Sequence, residues 1–98
     1  VDGTRPGIFY TPIPDVTRYN IFDTEDLFLH EAIPGHHFQI SLTQKNDELP
    51  EFRKTLWYSA YGEGWALYTE SMGKELGLYE DPYQYFGMLS AEMHRAIR

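Results

Sequence analysis

The stretch His30-Glu31-Ala32-Ile33-Pro34-Gly35-His36-His37 gathers three of the chain's four histidines into eight residues and sets a glutamate directly after the first. Imidazole and carboxylate are the side chains that bind borderline metal ions and move protons near neutral pH. A zinc hydrolase commonly presents two histidines four residues apart on one helix; at ~100° per residue that spacing leaves both imidazoles on one face. Here the residue four beyond His30 is Pro34. On an unbroken helix His36 would point ~240° away from His30, and His37 would lie ~10 Å further along the axis. Pro34 removes one helical donor and clashes with the carbonyl of His30, and Gly35 permits backbone angles other residues avoid. A break there would loop out two residues and return His36 to the place of an ordinary second ligand. His36 is therefore the first choice for that role and His37 the alternative.

A second run, Glu63-Gly64-Trp65-Ala66-Leu67-Tyr68-Thr69-Glu70, falls on the next long helical pattern. Hydrolases with two histidines and one glutamate draw the third ligand from such a helix and keep a fourth position open. Glu63 suits that role. With no cysteine in the chain, a closed thiolate site is excluded. Glu31, next to the first histidine, is placed to accept a proton from an attacking water. Glu70, two turns below Glu63, can hold a ligand imidazole by its other nitrogen. Tyr58, Tyr61 and Tyr68 are candidate donors to an oxyanion, although each also fits an amphipathic packing position. His94 reads as a surface histidine.

These residues need elements to position them. Residues 1–22 are turn-rich, with three of the six prolines, and Ile8-Phe9-Tyr10 reads as one short strand over 7–11 ended by Pro12 and Pro14. A lone strand has no partner in this chain, so it is expected at an edge, where an extended peptide substrate could dock. Three helices are expected: 24–44, broken at Pro34-Gly35; 50–76, with Pro50 in the first turn; and 81–98, opened by Asp81-Pro82. Tyr83, Phe86, Leu89, Met93 and Ile97 form an apolar stripe on the third, expected to be core. The fold class is mainly α.

Composition bounds the rest. Ninety-eight residues with 42% hydrophobic and 16% aromatic content can pack one small domain at most. A net charge of −7 without basic blocks argues against a nucleic-acid surface. No apolar run is long enough for a membrane segment, and the compartment stays unknown. The chain opens on Val1 and closes on Arg98 inside a helical pattern, so it is expected to be a piece of a larger catalytic domain. Such a piece would depend on the rest of the parent chain, be prone to self-association, and be inactive alone.

The phrases His-Glu-Ala-Ile-Pro-Gly-His-His-Phe-Gln (30–39) and Glu-Gly-Trp-Ala-Leu-Tyr-Thr-Glu (63–70) resemble the bacterial domain-of-unknown-function 885 family. So do Asp2-Gly3-Thr4-Arg5-Pro6-Gly7 and the closing run from Met88 to Arg98. The resemblance covers nearly the whole chain. It implies a segment of a larger helical protein, distantly similar to zinc peptidases such as carboxypeptidase Taq and the oligopeptidases. Zinc, a peptide substrate and hydrolysis with Glu31 as base are what it implies. Those peptidases have an uninterrupted motif, whereas this chain carries two extra residues before Gly35-His36. The competing expectation is a helical interaction module without metal, its histidines and glutamates engaged in caps and ion pairs.

Overall fold

The structure, a computed structural model, describes residues 4–98. Five helices follow one another: α1 (Thr24–Glu31), α2 (His36–Lys45), α3 (Glu51–Thr55), α4 (Ser59–Ser71) and α5 (Pro82–Ile97). The mainly α class is as expected, and each expected helix is shorter than its pattern or divided.

The first division lies where the sequence places it. Ala32 N–H still bonds the Phe28 carbonyl at 2.9 Å, then Pro34 ends α1 and Gly35 opens α2. A Cβ on Gly35 would sit 1.9 Å from the His30 carbonyl oxygen, so only glycine lets α2 start this close to the end of α1. Asp23 precedes α1 without a side-chain capping bond, and the Glu25 N–H is met instead by the Gln84 side chain on α5 at 3.2 Å. A distant side chain satisfies the helix start.

The expected 50–76 helix is a correction. It stops at Thr55, runs extended through Leu56 and Tyr58, and resumes as α4. The cause is packing. The Trp57 ring lies over Gly62, where a Cβ would come within 2.1 Å of it, and against the His36 ring at 5.5 Å. A continuous helix would carry Trp57 away from both. α4 also ends at Ser71 and not near Leu76; turns follow, with Gly77 at φ 81°. α5 starts as expected, the Asp81 carboxylate accepting from the Tyr83 N–H at 2.9 Å.

The strand expected at 7–11 does not form. Residues 7–11 are irregular, and among the described residues no second strand exists to pair with them. Phe9 instead packs edge-on against Phe28 of α1, centroids 6.0 Å apart. Asp2 and Gly3 of the turn-rich opening lie outside the described residues.

α1 packs on α4 and α5, and α2 on α4. The Thr69 hydroxyl bonds the Leu29 carbonyl at 3.0 Å, and Trp65 Nε1 donates to the Pro34 carbonyl at 2.8 Å, which locks α4 against the α1–α2 junction. Leu29, Ala66 and Tyr79 form the buried apolar centre. The α5 stripe is a second correction: Phe86, Met93 and Ile97 are exposed, and the helix turns Gly87 inward. Small residues on that face let α5 approach the segment before α1 closely, where Phe22 stacks on Tyr83 at 5.0 Å. Among the described residues no helix is long and apolar enough to cross a membrane.

Candidate metal centre

His30 stands in the last turn of α1, His36 is the first residue of α2, and Glu63 lies in the second turn of α4. The break at Pro34-Gly35 brings the two imidazoles edge to face, centroids 4.7 Å apart. One carboxylate oxygen of Glu63 lies 3.4 Å from His30 Nε2 and 3.5 Å from His36 Nε2. One donor atom from each residue falls within 4.8 Å of the other two. Ligands at ~2.0–2.2 Å from a tetrahedral ion stand ~3.3–3.6 Å apart. The spacing to Glu63 therefore suits three donors converging on one small cation. Both imidazoles are largely shielded, while the Glu63 side chain is half exposed and leaves an open side.

His30 is held from behind. Its Nδ1 lies 2.6 Å from Glu70 Oε1, and the other oxygen of Glu70 accepts from Arg95 of α5. Glu70 is 3% exposed, so this carboxylate is a buried clamp and not a solvated surface group. The hydrogen bond to Glu70 raises the His30 pKa above its ordinary value, against the opposing effect of burial. With Nδ1 committed to Glu70, Nε2 is the nitrogen turned to Glu63 and His36. Behind Glu70, the Tyr79 hydroxyl reaches both the Glu70 carbonyl and Asp26 Oδ1, each at 3.1 Å. Burial, and next the charge of Glu70, push the Asp26 carboxyl up to about 6. Burial and the Asp26 charge push the Tyr79 phenol well above its usual range.

The other expected residues fall elsewhere. His37 is exposed and turned toward Gly7, away from the cluster, so of the two alternatives the structure brings His36 to His30. Glu31 is exposed and lines a hollow with Phe28, Ile33, His37 and Gly7–Tyr10; its charge still reaches His30. Tyr58 and Tyr61 border a hollow beside Gln39 and Trp57, and Tyr68 leans on Trp65 at 5.9 Å; all three are exposed. His94, read as a surface histidine, lies with Arg95 and Arg98 on the wall of a cavity of about 660 Å³ that also holds His30 and Glu63. Sequence inspection missed Arg95, whose partner Glu70 lies 25 residues away, and the pair Asp26 and Tyr79, 53 residues apart; such separations leave no local pattern. Two buried polar atoms, His36 Nδ1 and Gln39 Oε1, have no hydrogen-bond partner among the described residues.

With this geometry in place, comparison with known proteins gives one match. Residues 1–98 match the family described as "Bacterial protein of unknown function (DUF885)". The chain belongs to that family. The match spans every residue of the chain, including both phrases that carry His30, His36 and Glu63. No curated protein and no solved structure matches the chain.

Proposed function

We propose that this chain carries the active-site segment of a zinc-dependent hydrolase of peptide bonds. One observation carries the proposal: His30, His36 and Glu63, from three helices, converge with one donor atom each within 4.8 Å, and a glutamate directly follows the first. Two imidazoles and a carboxylate are the donor set of catalytic zinc sites that keep one position open. His30 and His36 both turn Nε2 to the same Glu63 oxygen, at 3.4 and 3.5 Å, so the three atoms that would hold an ion face one another. When bound, zinc supplies a Lewis acid for the carbonyl and lowers the pKa of water.

The chain's own residues divide the remaining work. Glu70 and Arg95 fix the His30 ring, so that its Nε2 faces the site without a search over rotamers. Glu63, half exposed, borders both the histidines and the open cavity, where an extended peptide fits. Glu31 lines the hollow beside Phe28 and His37 and not this cavity; it makes no hydrogen bond among the described residues and its charge reaches His30, so its carboxylate is the candidate to take a proton from water and pass it to the leaving amine. Tyr58, Tyr61 and Tyr68 are exposed hydroxyl donors around the two hollows. Tyr61 stands two residues and ~200° from Glu63 on α4 and borders the hollow of Gln39 and Trp57, so none of the three is singled out as the oxyanion donor.

Metal analysis of the complete protein tests the reading. One equivalent of zinc, lost in Glu63→Ala, supports it. A fully folded protein that takes up no zinc favours the interaction module instead, with Glu63 merely bridging two histidines.

A further inference from the structure

The cavity in front of His30 and Glu63 is closed on its far side by α5, through Gly87, Ser90, Ala91, His94, Arg95 and Arg98. At ~100° and ~1.5 Å per residue, Gly87, Ala91, His94 and Arg98 form one stripe ~16 Å long. The two ends of that stripe differ in charge. Asp23 packs at the Gly87 end and, like Glu63, repels anions. The far end carries His94 and two arginines. Arg95 is committed to the buried Glu70, but no ion pair among the described residues includes Arg98. Arg5, Lys45, Arg53 and Lys74 are likewise outside those ion pairs, so what sets Arg98 apart is its place on the wall of this cavity. A guanidinium offers two parallel N–H donors to a carboxylate and keeps its charge at any working pH.

We propose that the Arg98 end of this cavity, with His94 beside it, is a subsite for a carboxylate of the substrate. The small residues Gly87, Ser90 and Ala91 leave room for the peptide, and Arg98 fixes its anionic end relative to Glu63. The inference rests on the hydrolase reading for what occupies the cavity. The carboxylate has two sources, the C-terminus of a peptide or an acidic side chain.

The test is calorimetric binding of three hexapeptides to the complete, zinc-loaded protein made non-hydrolysing by Glu31→Gln, with and without Arg98→Gln. The first peptide has a free C-terminus, the second is its amide, and the third is an amide ending in glutamate. The free acid should bind about 10- to 100-fold more tightly than the amide, the range of one charge-assisted hydrogen-bond pair. Arg98→Gln should erase that difference while leaving the amide's affinity unchanged, which also shows that the variant is folded. Tight binding of the third peptide assigns the subsite to side-chain carboxylates, and weak binding assigns it to the C-terminus. Equal affinity for acid and amide, a preference that survives Arg98→Gln, or no binding of any peptide overturns the proposal. The reading beneath it fails separately. If the protein with Glu31 intact binds with the expected preference yet hydrolyses none of the peptides, the subsite stands and the hydrolase does not.

Discussion

At the scale of single residues, one carboxylate among 15 decides what the cluster is. Glu63 stands between two imidazoles at 3.4 and 3.5 Å, longer than a good hydrogen bond and about the edge of a tetrahedral coordination shell. Removing it from a three-ligand site leaves no substitute, so Glu63→Ala should abolish zinc content measured by elemental analysis. His36→Ala should do the same, while His37→Ala, turned toward Gly7, should keep full occupancy. Glu31→Gln keeps size and polarity but cannot accept a proton. It should retain zinc and lower peptide hydrolysis by ~100-fold or more, read from steady-state kinetics. Asp26 gives a pH prediction. Its carboxyl is raised from 3.8 to about 6, so the fold favours the protonated form. Stability is then undiminished below pH ~4, falls as pH rises through that window, and stays lower above ~6, by roughly 2–3 kcal/mol. Asparagine keeps an acceptor for the Tyr79 hydroxyl and carries no charge. Asp26→Asn should therefore raise the melting temperature at pH 7.5 and change it little at pH 4.

At the scale of elements, the junction between α1 and α2 brings His36 to His30. Gly35 passes so close to the His30 carbonyl that a methyl group there has no room. Because the obstacle is backbone, relief requires moving one helix end against the other, and both ends carry a histidine of the cluster. Gly35→Ala should weaken zinc affinity at least ~10-fold, measured by competition with a chelator, while helical content by circular dichroism changes little. Gly64→Ala is the control, since a Cβ there meets nothing within 4 Å. The same glycine-for-space logic acts at Gly62, where the Trp57 ring lies against α4 and so sets the wall behind His36. Tyr79 shows the reverse balance. Its φ of 59° is uncommon for a tyrosine, and it is held by a 2.6 Å bond from its N–H to Glu25 and by both hydroxyl contacts.

At the scale of the whole molecule, the described residues bury little apolar surface. Leu29, Ala66 and Tyr79 are the buried apolar residues, while Phe86, Met93 and Ile97 of α5 and Phe52 of α3 stand exposed. A fold of this size with so few buried side chains is marginal. The isolated 98-residue chain should therefore self-associate in sedimentation velocity, and Phe86→Lys with Ile97→Glu should shift it toward monomer. If, as proposed, the chain is one segment of a larger hydrolase, it should also hydrolyse peptides far more slowly than that parent protein, because positioning in a walled cleft can account for ~7–11 kcal/mol of a barrier. Comparable specific activity from both would show that this segment is sufficient. Much of this was legible in order along the chain. Spacing marked His30, Glu63 and Glu70 as candidates, with His36 first and His37 as its alternative, because Pro34-Gly35 and the glutamate-bearing helix are local signals. The helical class, the break at Pro34-Gly35 and the start at Asp81-Pro82 were likewise local, since proline geometry and capping act within a few residues. Tertiary structure alone decided that His36 and not His37 faces His30, and that Glu70 is buried under Arg95. It also decided that α4 begins late because Trp57 seeks Gly62 and His36, and that His94 and Arg98 look into the cavity. Each of these depends on side chains that meet across helices, where the energy lies in packing and desolvation between distant residues and not in the preferences of neighbours.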